Sequence, residues 1–190
     1  MAPLLTETYL ALLQLLRDVR FVLEMHANVI LYLIPVFLIC AWLQALHARP
    51  PHARSWPYTQ SISLIVGVFI HELLHLLVGV LTYAKPVAMS IIPRHIEKGY
   101  YELGHVRLQN IRWFNGVFVG LAPLLGFVGV AVSIHWRTRT GWVFSWWDLL
   151  AWYVLAQVSM SAWPSTSDIK IALRSWPLVI PITAYFVFSY

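Results

Sequence analysis

The segment Val68-Phe69-Ile70-His71-Glu72-Leu73-Leu74-His75-Leu76-Leu77-Val78-Gly79 places two histidines and a glutamate inside an otherwise apolar run. The run extends over residues 62–82, and a helix needs about 20 mostly apolar residues to cross the hydrocarbon layer of a bilayer. Residues i and i+4 of a helix lie one above the other, so His71 and His75 project from the same face. We therefore predict a membrane-spanning helix with a polar cluster near its middle.

The composition of the whole chain also favours a membrane protein. Hydrophobic residues make up 59% of the 190 residues and charged residues only 11%, whereas an average globular protein has about 25% charged residues. A water-soluble particle with so few charges could not cover its own surface. This composition excludes a cytosolic globular enzyme and a disordered tail. Because Cys40 is the single cysteine, a disulfide scaffold is excluded as well.

Apolar segments elsewhere in the chain predict further membrane helices. The last of them is short and carries Pro177 and Pro181. The fold class we expect is an all-α polytopic membrane protein with about five transmembrane helices in a single membrane domain, residues 1–190. The predicted membrane segments are 27–46, 62–82, 113–134, 142–163 and about 171–190.

The first 23 residues have a different pattern. Six apolar residues fall on one helical face, while Glu7, Gln14 and Asp18 lie on another, so we expect an amphipathic helix over 1–23 that lies on the membrane surface. The six apolar residues are Leu5, Tyr9, Leu12, Leu16, Val19 and Leu23.

Positive charges predict the orientation in the membrane. If the N-terminus is cytoplasmic, nine Lys and Arg residues lie on the cytoplasmic side and four on the other side. The sequence thus predicts a multi-pass protein of the cell (inner) membrane with a cytoplasmic N-terminus. The net charge of +5 is scattered between apolar runs, which favours a lipid bilayer as partner and argues against nucleic acid. The oligomeric state stays open.

The loop over residues 83–112 is the one candidate for β-structure. Gly99-Tyr100-Tyr101-Glu102-Leu103-Gly104-His105-Val106-Arg107-Leu108 combines tyrosines, partial alternation and flanking glycines. These features predict a short β-hairpin. His95, Glu102 and His105 of this loop are candidates to border a site in the adjacent helix, and the alternative is that the loop is simply solvated.

The spacing of His71, Glu72 and His75 suits a metal site. Two neutral imidazoles one helical turn apart can hold one zinc ion, and Glu72 can reach a zinc-activated water and act as general base. Zinc lowers the pKa of a bound water towards 7, which yields a nucleophile at physiological pH. The alternative is a polar cluster that is hydrogen-bonded within the bundle or lines an ion path.

A zinc that performs chemistry usually has three protein ligands and an open position. The first choice for the third ligand is Asp168, which follows Pro164 at the end of a membrane segment. Irregular backbone is tolerated at membrane depth where it lines a cavity. Ser165 and Asp168 also form a Ser-x-x-Asp pattern, so Asp168 could instead cap a helix that begins after the proline.

With these residues, the sequence resembles the site-2-type intramembrane zinc metalloproteases, as a small divergent member. The resemblance rests on the histidine–glutamate motif of 71–75, on Gly120-Leu121-Ala122-Pro123-Leu124-Leu125, and on Asp168. It covers residues 61–172, which correspond to the three-helix catalytic core of that family. It implies one Zn²⁺ per chain held by His71, His75 and Asp168, with Glu72 as the catalytic base.

The predicted function is therefore an intramembrane zinc metalloendopeptidase. It would hydrolyse peptide bonds in or near a transmembrane segment of a membrane-protein or peptide substrate. Two alternatives from other classes remain. One is a catalytically inactive metal-binding or ion-handling membrane scaffold protein that uses the same polar cluster. The other is a haem-binding bundle built on His71, His75, His26 and His135.

Overall fold

The computed structural model of the chain describes residues 2–47, 63–92, 94–97 and 100–188. These residues are mostly helical, as the sequence predicts. The helices are α1 (Ala2–His47), α2 (Ile65–Leu81), α3 (Gly116–Gly120), α4 (Leu125–Thr138), α5 (Trp146–Ser161), α6 (Thr166–Leu173) and α7 (Trp176–Phe188), with a 3₁₀ turn at Ala122–Leu124. The strands are β1 (Pro86–Ser90), β2 (Arg94–Glu97), β3 (Tyr100–Glu102) and β4 (His105–Leu108).

The mostly helical architecture agrees with the expectation, but the helix lengths do not agree with about five transmembrane helices. Within the described residues, one helix is long and apolar enough to cross a membrane, over Leu13–Leu46 of α1. Helix α2 is apolar but has 17 residues. The predicted segment 113–134 is divided into α3, a 3₁₀ turn and α4, because Pro123 has no N–H with which to continue a helix.

Helix α1 joins two elements that the sequence pattern separates. The surface helix expected over 1–23 and the membrane segment expected over 27–46 form one continuous helix of 46 residues. Neither glycine nor proline occurs between Leu4 and Ile34, and sharp kinks in helices are almost always caused by such residues or by π-bulges. The change from an amphipathic to an apolar pattern therefore does not mark a break in the backbone.

The β-structure lies in the predicted loop, but its pairing differs from the expected hairpin. Strand β4 pairs antiparallel with β1, with Pro86 opposite Leu108 and Ser90 opposite His105. Strand β3 pairs with β2 instead of with β4. The two strands within 99–108 therefore do not pair with each other as expected. Each belongs to a different two-stranded sheet. Strand β1 has little alternation, so the local pattern gave no signal for it.

The core lies where α1 packs against α4 and α5. Tyr32 and Val36 of α1 contact apolar residues of the other two helices. An aromatic cluster at one end joins Tyr32 to Trp142 and Trp152 with ring centroids 5.5 and 5.6 Å apart. The other core residues are Val130, Ile134, Leu155, Ala156 and Val158.

A buried carboxylate connects these three helices at the same end. Asp148 lies at the start of α5, where its Oδ2 accepts a hydrogen bond from the N–H of Ser145 at 2.7 Å. It also accepts hydrogen bonds from the Tyr32 hydroxyl at 3.1 Å, from Arg137 Nε at 2.9 Å and from Trp142 Nε1 at 3.2 Å. The side chain is almost fully buried. A buried charge is tolerated only when it is paired and hydrogen-bonded. The donors come from α1, from α4 and from the segment before α5, so Asp148 links these parts of the bundle.

Replacing Asp148 with alanine should lower the free energy of unfolding by about 3 kcal/mol, because it leaves the buried Tyr32 hydroxyl without its acceptor and Arg137 without its carboxylate partner. Chemical denaturation in detergent would measure this. The control is Asp18→Ala, since Asp18 is exposed on α1. Equal stability of the two variants would contradict a structural role for Asp148.

Candidate metal centre

Three side chains from two helices meet at one point. His71 and His75 lie one turn apart on α2, and their Nε2 atoms are 3.3 Å from each other. The Asp168 carboxylate of α6 lies 3.4 Å from His71 Nε2 and 3.1 Å from His75 Nε2. All three residues are mostly buried. The structure therefore brings together the three residues predicted as metal ligands.

The opposite ring nitrogens of both histidines are held by backbone carbonyls. His75 Nδ1 donates to the Val119 carbonyl at 2.9 Å, and His71 Nδ1 donates to the Ser161 carbonyl. A carbonyl oxygen can only accept a hydrogen bond, so each Nδ1 carries the proton and the neutral ring keeps a lone pair on Nε2. Such a bond to the distal nitrogen is the usual support of a metal-bound histidine.

Two prolines explain why these carbonyls are available. In a regular helix, the carbonyl of Val119 would accept from the N–H of residue 123, but Pro123 has none. Ser161 is the last residue of α5, and Pro164 follows it, so the Ser161 carbonyl lacks a helical donor as well. Both interruptions of the helices thus supply an acceptor for an imidazole.

The short helix α6 reaches the site because α3 lets it approach closely. A Cβ added at Gly120 would overlap the Asp168 carbonyl oxygen and would lie 2.7 Å from Ala172 N. The start of α6 is fixed by Ser165, whose N–H donates to Asp168 Oδ2 at 2.7 Å. Asp168 is therefore both the capping residue and the carboxylate that faces the histidines, so the two interpretations of the sequence are compatible.

Helix α5 approaches α2 in the same way. A Cβ at Gly67 would overlap the Gln157 carbonyl oxygen and Ser161 Oγ. The buried Gln157 side chain accepts from the N–H groups of Val66 and Gly67, at 3.1 and 3.3 Å. These contacts fix α2 against the end of α5 and bring Ser161 within reach of His71.

The donor set fits a zinc ion. Tetrahedral ligands about 2.0–2.1 Å from zinc lie about 3.3 Å from one another, and the separations among His71, His75 and Asp168 are 3.1, 3.3 and 3.4 Å. Two imidazole lone pairs and a carboxylate that face each other in a buried place need a positive charge among them, which either a metal ion or a proton on one imidazole supplies.

Glu72 lies beside these residues, in the cavity that they border. Its side chain is buried, and a Cβ added at Gly104 would lie 2.8 Å from Glu72 Oε1. The cavity has a volume of about 510 Å³. Its apolar lining comes from Leu64, Val68, Leu103, Val106, Leu108, Met160 and Ile171.

The segment that covers Glu72 was hardly predicted from the sequence. Leu103, Gly104 and His105 line the cavity together with residues of α6. Of these, only His105 was a candidate, and the only signal for it was its residue type. The role of Gly104 could not be inferred because glycine in a loop usually indicates a turn.

The two other histidines considered for a haem site lie elsewhere. His26 is exposed, and its Nδ1 donates to the Val22 carbonyl of its own helix at 2.7 Å. His135 is exposed on α4. Neither residue lines the cavity. Because His71 and His75 converge on Asp168, they are not arranged to take opposite faces of a haem.

Comparison of the chain with protein-family models, curated proteins and solved structures gives no match. The resemblance to site-2-type metalloproteases thus stays a prediction from the motif residues.

Replacing Pro123 with alanine should weaken zinc binding about tenfold or more, although alanine favours helix. The new N–H would compete with His75 for the Val119 carbonyl, and lost second-shell support typically costs 10–100-fold in metal affinity. Zinc titration with a competing chelator would measure this. Pro181→Ala, in α7, is the matched control. Unchanged affinity in Pro123→Ala would contradict the role assigned to the free carbonyl.

Gly120→Ala should also reduce zinc affinity, because its Cβ would displace α6 and with it Asp168. Gly129→Ala is the matched control, since a Cβ there meets no atom within 4 Å. The control should bind zinc normally and gain about 0.5–1 kcal/mol of stability from the better helix former. The same titration measures both variants, and an equal affinity for zinc would show that the close approach is not needed.

Proposed function

We propose that the protein is an intramembrane zinc metalloendopeptidase of site-2 type. One observation carries this proposal: the Nε2 atoms of His71 and His75 and the Asp168 carboxylate converge at 3.1–3.4 Å, and Glu72 borders the same cavity. Two histidines and a carboxylate with a neighbouring glutamate make up the machinery of metal-assisted peptide hydrolysis.

The proposed setting is a bilayer that the helical bundle crosses several times, in the inner membrane with a cytoplasmic N-terminus. Large apolar side chains are exposed on every long helix, among them Phe37, Phe69, Val132 and Leu150. In water such a surface would promote association. Helix α2, with 17 residues, is about 26 Å long, a little less than the hydrocarbon layer of about 30 Å.

The roles of the residues follow from their positions. His71, His75 and Asp168 would hold the metal, which when bound supplies Lewis acidity for activating water and polarising a carbonyl. Glu72 would take the proton of the attacking water and deliver it to the leaving amine. Its side chain is buried against Gly104, which keeps bulk water away from the carboxylate.

The substrate would be an apolar segment in extended form. A helix hides its carbonyls in hydrogen bonds, so a transmembrane substrate must unwind locally before attack. Strand β4 borders the cavity, and within the described residues only one of its edges is paired, with β1. We propose that the unwound segment adds to β4 as a further strand, with its side chains against Val106 and Leu108.

If this proposal is correct, the purified protein should contain about one zinc per chain. His75→Ala should remove the metal, and Asp168→Ala should weaken its binding by at least tenfold, because each loses one of three ligands. Elemental mass spectrometry after detergent purification would measure the content. His135→Ala is the control, since His135 is exposed outside the cavity. A wild type that takes up no zinc would contradict the metal site and would support the alternative of a hydrogen-bonded polar cluster.

Glu72→Gln separates an enzyme from an inactive metal-binding scaffold. The amide cannot accept the proton, so cleavage should fall at least about 100-fold while the zinc content stays unchanged. The probe would be a panel of single-span reporter proteins reconstituted with the enzyme, with products identified by mass. Glu24→Gln, on the exposed Arg20–Glu24 pair, is the control. If the protein binds zinc but shows no cleavage that depends on Glu72, this result would support the inactive metal-binding scaffold instead.

A further inference from the structure

Gly104 lies against the side chain of Glu72. It immediately precedes strand β4 and lines the cavity that contains Glu72. A Cβ at this position would lie 2.8 Å from Glu72 Oε1 and 2.9 Å from both Glu72 Cγ and Val68 Cγ1. Non-bonded carbon atoms in contact are normally about 3.5–4.0 Å apart. Any residue larger than glycine would therefore push on the side chain that serves as the base in the proposed reaction.

The backbone conformation of Gly104 does not explain why a glycine occurs there. Among the glycines that the structure describes, Gly141 has a φ of 89°, whereas the φ of Gly104 lies outside this left-handed region. Glycine is favoured on conformational grounds where φ is positive. An alanine at position 104 could adopt the same backbone. The property that matters here is the missing side chain, which leaves space for the carboxylate of Glu72.

Strand β4 is fixed against α2, so its backbone is not the part that would yield. The far end of the strand packs on the same helix, where a Cβ added at Gly79 would lie 2.9 Å from Leu108 Cδ2. Strand β1, which pairs with β4, is tied to the end of α2 by the Ala84 N–H, which donates to the Gly79 carbonyl at 2.7 Å. A side chain added at Gly104 would therefore be accommodated by Glu72, whose side-chain torsions allow other rotamers.

We propose that Gly104 is a positioning residue for Glu72. The bare backbone before β4 holds the carboxylate in one orientation, whereas the cavity of about 510 Å³ would otherwise leave room for several. This inference rests on the proposed function, because a general base must lie within hydrogen-bond reach of the proton that it takes. A misplacement of about 1 Å can lower a rate about 100-fold.

Gly104→Ala tests the proposal with the single-span reporter proteins reconstituted as above. The kcat should fall at least about tenfold, while KM and the zinc content stay close to those of the wild type. The reason is that the three atoms nearest to the added methyl belong to Glu72 and Val68 and not to the predicted metal ligands. Gly129→Ala is the matched control and should keep the wild-type kcat, since a Cβ there meets no atom within 4 Å. A wild-type kcat in Gly104→Ala would overturn the proposal.

A second pair of variants shows through which neighbour the methyl acts. Val68→Ala removes the other atom that the methyl meets and serves as the reference for the double variant Val68→Ala/Gly104→Ala. If the displaced group is Glu72, the double variant should still have a kcat at least about tenfold below that of Val68→Ala. Recovery of the reference kcat would assign the effect to packing against Val68 and would overturn the proposal.

The contact can also be measured without cleavage. In chemical denaturation, Gly104→Ala should lower the midpoint less in a Glu72→Ala background than in the wild type, because the truncation removes the two Glu72 atoms that the methyl meets. Equal shifts in both backgrounds would show that position 104 does not act on Glu72 and would overturn the proposal. A wild type that cleaves none of the reporters would instead contradict the proposed function, and the positioning role of Gly104 with it.

Discussion

Two hydrogen bonds from imidazole N–H groups to backbone carbonyls determine the geometry of the site. The carbonyls of Val119 and Ser161 hold His75 and His71, and both are available because a helix is interrupted next to them. In an apolar setting a free carbonyl is costly, and a buried imidazole without a partner is costly too. Each group satisfies the other, and the Nε2 atoms are left pointing towards Asp168. The broken helices are thus a requirement of the site.

Close packing of the backbone makes these contacts possible. Gly67 brings α5 against α2, and Gly120 brings α6 against α3, in both cases with a carbonyl where a side chain would otherwise lie. The first contact positions Ser161, and the second positions Asp168. At the other end of the bundle, Asp148 and its donors hold α1, α4 and α5 together. The polar groups of this apolar chain are therefore concentrated where helices must be fixed.

The sequence predicted which polar residues converge better than it predicted the framework around them. His71 and His75 follow from helical spacing and Asp168 from its position after Pro164, because these are local signals. The pairing of β4 with β1 depends on contacts between distant residues, and no local pattern indicated it. The lengths of the helices were overestimated because apolar runs were taken as continuous helices. Pro123 interrupts one of these runs and leaves the Val119 carbonyl without a helical donor. That this carbonyl accepts from His75 depends on the folded arrangement, so no local pattern could predict it.

The function that we propose requires that His71, His75 and Asp168 hold one zinc ion. Zinc-edge X-ray absorption of the purified, zinc-loaded protein tests it most directly, because the spectrum reports the ligands themselves. We expect two imidazole nitrogens and further light-atom ligands at about 2.0–2.1 Å, without sulfur, and no such signal in His75→Ala, which should not retain the metal. A spectrum without imidazole scattering, or one that His75→Ala leaves unchanged, would contradict zinc binding by these residues.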